Sequence, residues 1–276
     1  MCFNEVIIKG GLGNQLFCLL FAYKILLSKK KVHLNLKNYS FFKRQDREFV
    51  LDKLFPEIFD IFGNSNSYLS YFRCLYAKIY ERFLKDNKIG GLSIEKAFSI
   101  NYWPNCFIHT GYFQKISNSD LDLKSLEMLT SNLKPYLGGS KSQFIAAHIR
   151  RGDYLLEKHS IHGLIDEKYI IRELQFQLSK QSFKGLTIFT DSPELININK
   201  YKDLHSNVVL DEGGNSVEVF KRMLNHKGLV ASNSSFSLWA GLLGNIKYFS
   251  IPFLWMPGVE SNILGLDNIR RYNCDI

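Results

Sequence analysis

The most informative stretch of the chain is residues 144–154, which read Phe144-Ile145-Ala146-Ala147-His148-Ile149-Arg150-Arg151-Gly152-Asp153-Tyr154. An apolar run broken only by His148 predicts a strand that is buried on both faces. Because side chains alternate along a strand, His148 and Arg150 point to one side and Arg151 to the other. In open α/β sheets, ligands bind beyond the carboxyl ends of parallel strands, and the planar fork of arginine suits phosphate. The stretch therefore predicts an anion site with His148, Arg150 and Asp153; the alternative is an Arg–Asp ion pair that only closes the loop.

Composition limits the class of protein. The chain has 276 residues, 46% of them hydrophobic, which is enough for one large or two modest domains. A net charge of +9 and a pI near 9.2 favour an anionic partner: a nucleotide, a nucleic acid or a membrane surface. Five scattered cysteines without a Cys-x-x-Cys pair indicate neither a zinc site nor a disulfide framework. Their odd number fits a reducing compartment. The chain enters its first predicted strand at once, and its early apolar run is too short to cross a bilayer. Together these features predict a cytoplasmic protein.

A glycine-rich turn follows the first predicted strand, residues 5–9. It reads Gly10-Gly11-Leu12-Gly13-Asn14-Gln15, and leucines at helical spacing lead on to a strand at 32–36. Leu16 stands where the dinucleotide fingerprint needs its third glycine, and no Gly-Lys-Ser/Thr follows, so the turn is neither that motif nor a P-loop. Glycines still let a ligand approach the backbone at a helix N-terminus. Gly11, Gly13, Asn14 and Gln15 are therefore candidate ligand contacts; the alternative is a tight turn with a helix cap.

Two further features of the first half bear on surface roles. Residues 24–47 contain eight Lys or Arg against one Asp, which is typical of a solvated face and also suits an anionic membrane. Large apolar residues recur every three or four positions from 68 to 84, which predicts an amphipathic helix packed on the core; interfacial or acceptor contact is the alternative. Asp120-Leu121-Asp122 has the spacing of a metal-holding D-x-D motif, but its serine-rich start favours a capped helix.

The second half repeats the pattern of a buried strand that ends in polar residues. Residues 135–142 mark the predicted boundary between the halves. The strand at 186–190 ends at Asp191, which is interpreted either as a helix cap or as a ribose or base contact. A strand at 229–232 leads to a helix start formed by Asn233, Ser234, Ser235 and Phe236. Hydroxyls and backbone N–H groups there favour a phosphate cradle, with an ordinary serine N-cap as the alternative.

Five segments, in chain order, resemble motifs of the bacterial α-1,2-fucosyltransferases, glycosyltransferase family 11. They are residues 10–17 (GGLGNQLF), 109–114 (HTGYFQ), 148–154 (HIRRGDY), 189–192 (FTDS) and 232–237 (SNSSFS). The resemblance implies an α/β, GT-B-like fold of two Rossmann-type halves that face each other across a cleft. Residues 1–140 would be the N-terminal acceptor-side half and 141–276 the C-terminal GDP-sugar-binding half.

The resemblance also implies a reaction and residue roles. L-Fucose would move from GDP-β-L-fucose to the 2-hydroxyl of a galactoside with inversion, without a metal or other cofactor. Arg150 would contact the β-phosphate, and Asn233, Ser234, Ser235 and Phe236 would also contact the phosphates. Such enzymes often carry a guanine-reading Asp where Val219 stands here, with Glu218 beside it as the candidate carboxylate. His148 and Asp153 are the two candidates for the general base. Either could instead only brace Arg150, and the choice stays open.

Two alternative functions compete with this one. A related transferase would use another GDP-6-deoxyhexose such as GDP-colitose, because a pocket without dedicated partners discriminates poorly against a single hydroxyl. A basic RNA- or nucleotide-binding module is opposed by the absence of RNP, KH and helix-turn-helix signatures in the sequence, so no nucleic-acid partner is expected. Basic charge and the resemblance together predict a lipid-linked oligosaccharide acceptor, as in O-antigen assembly, and peripheral contact with the inner membrane face. The oligomeric state is left open.

Overall fold

Two separate main sheets, one in each half of the chain, form the framework of the computed structural model. The structure describes residues 3–41, 48–65, 67–86, 98–103, 106–114, 119–139, 142–155, 163–257, 259–261 and 269–275. The chain divides into two units, Met1–Tyr136 and Leu137–Ile276, so the division lies just before the boundary expected at residue 140. The α/β class with two parallel-strand sheets is confirmed. How the two units face each other stays a prediction.

The first unit is an α/β sheet with one antiparallel edge strand. Its elements are β1 (Phe3–Ile7), α1 (Leu12–Leu27), β2 (Lys31–Asn35), α2 (Lys37–Phe41), α3 (Leu51–Leu54), α4 (Ile58–Ile61), β3 (Gly63–Asn64), α5 (Tyr68–Asp86), β4 (Phe98–Trp103), β5 (Cys106–Thr110) and α6 (Asp120–Leu137). The strand order is β3-β2-β1-β5-β4, and only β4 runs antiparallel to its neighbour. The chain leaves β1 on one side and returns to pair β5 on its other side, so the order reverses between β1 and β5.

The second unit has the strand order of a doubly wound Rossmann fold. Its elements are β6 (Ile145–Ile149), α7 (Glu167–Lys180), β7 (Leu186–Thr190), α8 (Asn199–Lys202), β8 (Val208–Leu210), α9 (Ser216–Leu224), β9 (Gly228–Val230), α10 (Ser235–Leu243), β10 (Tyr248–Pro252), β11 (Leu254–Met256), β12 (Val259–Glu260) and β13 (Arg270–Tyr272). The main sheet is parallel, in the order β8-β7-β6-β9-β10-β13. The order reverses between β6 and β9, which is where such folds bind ligands.

Burial explains why β6 lies at the centre of this sheet. All five of its residues are buried, as the apolar run predicts. Ile145, Ala147 and Ile149 share a core cluster with Ile170 and Leu174 of α7. The helix α7 begins where Asp166 caps it, because the Asp166 side chain accepts a hydrogen bond from the backbone N–H of Lys168. Helix α7 therefore covers one face of β6.

Helix α5 differs from its sequence prediction. The periodicity predicts that the large apolar side chains pack on the core. That prediction is wrong for five of them, which are exposed: Tyr68, Phe72, Tyr76, Ile79 and Tyr80. Tyr71 and Leu75 are half-buried, the side chains of Phe83 and Leu84 lie outside the described residues, and Leu69 is exposed as well. The buried side instead consists of the small residues Ser70, Cys74 and Ala77, which pack close to the sheet. Arg73 and Glu81 also point toward the sheet, where they pair with Glu5 and Lys9. None of the helices in the described residues is long and apolar enough to span a membrane.

Candidate functional site

An arginine and a carboxylate meet where β6 and β7 end side by side. The register pairs Ile149 with Thr190, so the next residues, Arg150 and Asp191, are neighbours. Arg150 Nη1 lies 2.6 Å from Asp191 Oδ2, and each side chain is about a quarter exposed. The other carboxylate oxygen, Oδ1, accepts a hydrogen bond of 2.8 Å from the backbone N–H of Arg151. Asp191 is therefore the partner of the β6 loop and caps no helix, since Ser192 is the residue before the following 3-10 turn.

Gly152 gives Asp191 the room it needs. A Cβ atom at position 152 would lie 2.1 Å from Asp191 Oδ2, closer than any real contact. The Gly152 N–H donates to the Ser192 hydroxyl at 3.1 Å. The ring of Tyr154 lies 5.3 Å from the Arg150 guanidinium, within cation–π range. Arg150 is thus oriented by a carboxylate and an aromatic ring and keeps part of its surface exposed.

His148 and Arg151 have bracing contacts. His148 Nδ1 and the Ser232 hydroxyl are 2.9 Å apart, which joins the end of β6 to the loop after β9. Burial, and secondarily the charge of Arg150, lower the pKa of His148 to about 3, so the ring is neutral near pH 7. Arg151 donates to the carbonyls of Arg150 and Ile165. Whether His148 acts as the general base or braces Arg150 stays a prediction. The side chain of Asp153 lies outside the described residues.

The first turn of α10 begins beside β6. Its N-cap residue, Ser234, is buried, yet its side chain makes no capping hydrogen bond to the helix. The buried Asn233 amide donates to the carbonyls of Gly163 and Trp255, and the Tyr154 hydroxyl donates to the Asn233 carbonyl. The start of α10 thus lies in the loop that bonds to His148 at the end of β6, and a helix N-terminus carries partial positive charge that favours an anion.

The residues that follow in α10 differ in their surroundings. The half-buried ring of Phe236 packs 6.0 Å from His148 and 5.4 Å from Phe220, between centroids, while Ser235 is half-buried in the first helical turn. Phe236 therefore serves the packing of this loop, and the predicted phosphate contact of the segment would come through hydroxyl and N–H groups.

Glu218 is exposed in the first turn of α9. The neighbouring carboxylate Asp211, which the sequence reading did not single out, accepts two hydrogen bonds of 2.7 Å from Arg222. That pairing turns the chain after β8 through Gly213, whose N–H donates to Asp211. Only the position of Asp211 directly after a strand end could have signalled it. Of these two carboxylates, Glu218 is the one on the open surface.

The glycine-rich turn lies at the corresponding place in the first unit. Gly10 has a φ of +80°, and a Cβ there would lie 2.8 Å from the Asn14 Cβ. The side-chain oxygen of Asn14, Oδ1, accepts a hydrogen bond of 2.6 Å from the Gln114 side-chain amide, which ties the turn to the residues after β5. Gly11 is the N-cap of α1, and Gly13 is buried in its first turn.

Gln15 faces inward. Its amide donates to the carbonyls of Gly10 and Glu48 and accepts from the Val50 N–H, so it holds the loop that leads to α3. Among the four candidate contacts of this turn, Gly11, Gly13 and Asn14 line the helix start and its neighbouring strand end, whereas the Gln15 amide has its bonds within the protein.

The D-x-D segment has a local role in the structure. Ser119 accepts a hydrogen bond from the Asp122 N–H at the start of α6, and Asp122 forms an ion pair with Lys24. In the described residues no group of three or more His, Cys, Asp or Glu side chains comes together. This agrees with the interpretation of residues 120–122 as a helix start.

The fold and the strand-end residues define a doubly wound α/β protein of the kind that binds its ligand at a reversal of strand order. The chain belongs to glycosyl transferase family 11, whose model matches residues 4–251. The family assignment made from the five segments is thereby confirmed, and the protein is a glycosyltransferase. No curated protein sequence matches the chain.

Solved structures with a related chain trace include two of NodZ α-1,6-fucosyltransferase. The one soaked with GDP-fucose has a TM-score of 0.39 and 11% identity, over 88% of this chain and 92% of that chain. The one co-crystallized with GDP has a TM-score of 0.44 and 12% identity, with the same coverage. POFUT1 in complex with GDP has a TM-score of 0.41 and 11% identity, over 88% and 96%. Likenesses this distant assign no donor, acceptor or linkage to the present chain.

Proposed function

We propose that the protein transfers L-fucose from GDP-β-L-fucose to the 2-hydroxyl of a galactoside, with inversion. The family membership supports this proposal, and so does the position of the partly exposed Arg150 at the end of β6, where the strand order reverses. A lipid-linked acceptor in O-antigen or other surface polysaccharide assembly, at the inner membrane face, suits the net charge of +9.

The chemistry requires charge stabilisation at the leaving diphosphate. The acceptor oxygen attacks the anomeric carbon as the bond from that carbon to the β-phosphate oxygen breaks, and the acceptor proton passes to a base. Negative charge develops on the β-phosphate, where an oriented guanidinium and helix N–H groups stabilise it. Arg150, aimed by Asp191, and the first turn of α10 with Ser234 and Ser235 supply those groups. These positive groups would take the place of a metal ion.

The surroundings of His148 bear on which residue we propose as the general base. With a pKa near 3, the ring accepts a proton poorly at neutral pH and serves instead to hold the Ser232 loop. We therefore assign the base to Asp153 ahead of His148. Glu218 is the carboxylate that we propose to contact the guanine base, because Asp211 already forms an ion pair with Arg222.

The test is a transfer assay with linkage analysis of the product. Purified protein is given GDP-fucose or GDP-colitose and a panel of β-galactosides, with and without EDTA, and GDP-mannose serves as a donor control with the same nucleotide. We expect an α-1,2-fucosylated product that forms equally well in EDTA, and heat on titration with GDP but not with UDP. A different linkage, or transfer from GDP-colitose alone, would correct the acceptor or donor; no transfer and no heat with GDP would refute the proposal.

A further inference from the structure

Helix α5 presents an apolar outer face. The exposed fractions are 88% for Tyr68, 58% for Leu69, 53% for Phe72 and 61% for Ile79, and Tyr76 and Tyr80 extend the same face. At roughly 200 Å² per large side chain, these six expose more than the few hundred Å² that is usual for a patch on a monomer. We call these six residues the α5 apolar face.

Helix α5 packs on the sheet of its unit through the side opposite the α5 apolar face. Two charged residues on that inner side, Arg73 and Glu81, form ion pairs with the sheet. Arg73 Nη1 lies 2.7 Å from the buried Glu5 carboxylate, which also accepts hydrogen bonds from Asn35 and Ser65. Glu81 lies 2.6 Å from Lys9 Nζ. A surface helix ordinarily turns its apolar side inward and its charges outward. Here the ion pairs of Arg73 and Glu81 face the sheet, and the apolar side faces outward.

Charge and residue type indicate what the α5 apolar face contacts. The helix carries Arg73, Lys78, Arg82 and Lys85 against Glu81 and Asp86, within a chain of net charge +9. Among its exposed side chains that the structure describes, Arg82 is the charged one and no carboxylate is present. Three of the six apolar residues are tyrosines, whose rings suit the boundary between headgroups and acyl chains. Two copies of this face would bring equal positive charges together, whereas anionic headgroups neutralise them.

We propose that the α5 apolar face docks the protein on an anionic lipid bilayer, with the aromatic and aliphatic side chains inserted at headgroup depth. The proposal deepens the proposed function, since it names the surface through which a lipid-linked acceptor would be approached. It does not depend on the transfer reaction itself.

The test is co-sedimentation of the full chain with vesicles of phosphatidylcholine alone or mixed with phosphatidylglycerol. We expect binding to the mixed vesicles that weakens with salt, and a roughly tenfold lower partition coefficient for Ile79→Ser, because one side chain is withdrawn from the apolar phase. Val209→Ser is the matched control: Val209 is also β-branched and 46% exposed, on β8 of the other unit. Its variant should bind as the wild type does.

Several results would overturn the proposal. These are no binding to mixed vesicles, equal binding by Ile79→Ser, or a dimer in sedimentation velocity that Ile79→Ser dissociates, which would make a second copy the occupant. Transfer to a water-soluble galactoside is measured in parallel. Normal transfer without vesicle binding refutes only the docking surface, and vesicle binding without any transfer refutes only the proposed function.

Discussion

Asp191 contacts the β6 loop through both of its carboxylate oxygens, one on the Arg150 guanidinium and one on the Arg151 N–H. A carboxylate that only neutralised Arg150 would compete with a phosphate for the same N–H groups. Of the two alternatives that the sequence left open, the ion pair is therefore present, and the anion site stays a prediction.

Arg150→Lys tests the guanidinium itself. Lysine keeps the charge but loses the planar fork, so by comparison with the loss of one oxyanion donor we expect a loss of about 2–4 kcal/mol of transition-state stabilisation, or a hundredfold or more in kcat. Steady-state kinetics with GDP-fucose give the value. Arg172→Lys, at an exposed arginine on α7, is the control and should be neutral. Normal turnover in Arg150→Lys would remove this residue from the mechanism.

The variant Asp191→Asn tests whether Asp191 positions Arg150 or contacts the ribose or base of the sugar-nucleotide donor. Without the opposing carboxylate charge, Arg150 should bind GDP at least as tightly, but its guanidinium would no longer be held in position. We therefore expect kcat to fall about tenfold with no loss of GDP affinity. Calorimetry with GDP and kinetics provide the two readouts. Asp203→Asn, on an exposed aspartate of the same unit, should change neither. Weaker GDP binding in Asp191→Asn would instead favour the ribose or base contact.

At the scale of elements, the helix starts of the second unit fall into two kinds. Asp166 caps α7 and Asn215 caps α9, each through a side-chain oxygen that accepts backbone N–H groups. The Ser234 side chain makes no such bond at α10. The sequence shows a suitable capping residue at all three places, and only the geometry tells them apart. We therefore expect a ligand of this unit to contact the helix at the start of α10.

Ser234→Ala should therefore act on ligand binding and leave stability unchanged. Because no capping bond is lost, the free energy of unfolding should change by less than about 0.5 kcal/mol, while GDP affinity falls several-fold. Asp166→Ala, which removes a real cap, should cost about 1 kcal/mol of stability and leave GDP affinity intact. Urea unfolding and GDP titration of both variants check this. The opposite pattern, a less stable Ser234→Ala with normal affinity, would restore the ordinary N-cap.

Considering the whole molecule, each unit carries a buried histidine that resists protonation. Burial, together with a nearby lysine charge, lowers the pKa of His109 to about 4, and burial lowers that of His148 to about 3. The unfolded chain, with a histidine pKa near 6.5, binds more protons than the folded chain between these values. Stability is therefore full above pH 6.5 and is lost as the pH falls toward 4.

We expect each of these histidines to cost roughly 2 kcal/mol of stability at pH 5, since one pKa unit corresponds to about 1.4 kcal/mol. Urea midpoints at pH 7.5 and pH 5.0 measure the loss. His109→Gln and His148→Gln remove the titrating ring, so each should reduce the difference between the two midpoints. An unchanged difference in both variants would contradict the buried neutral rings.

The alternation of apolar strands and polar turns was sufficient to predict β6 and β7 to within a residue, because each is a short apolar run that ends in polar residues. The α5 prediction failed for a physical reason: periodicity shows that a helix has two sides but not which side meets the sheet. Small residues and inward ion pairs decided that question. The orientation of Gln15 depended likewise on partners far away in the chain, at Glu48 and Val50.

By itself, the order of residues determined the α/β class, the family and the set of polar residues at strand ends, since these depend on local pattern and on motifs. Only the tertiary structure decided which strand ends are neighbours. The parallel register of β6 with β7 brings Arg150 to Asp191, and that of β6 with β9 brings His148 to Ser232. Contacts between residues 40 or more positions apart arise from strand pairing, which no local pattern encodes.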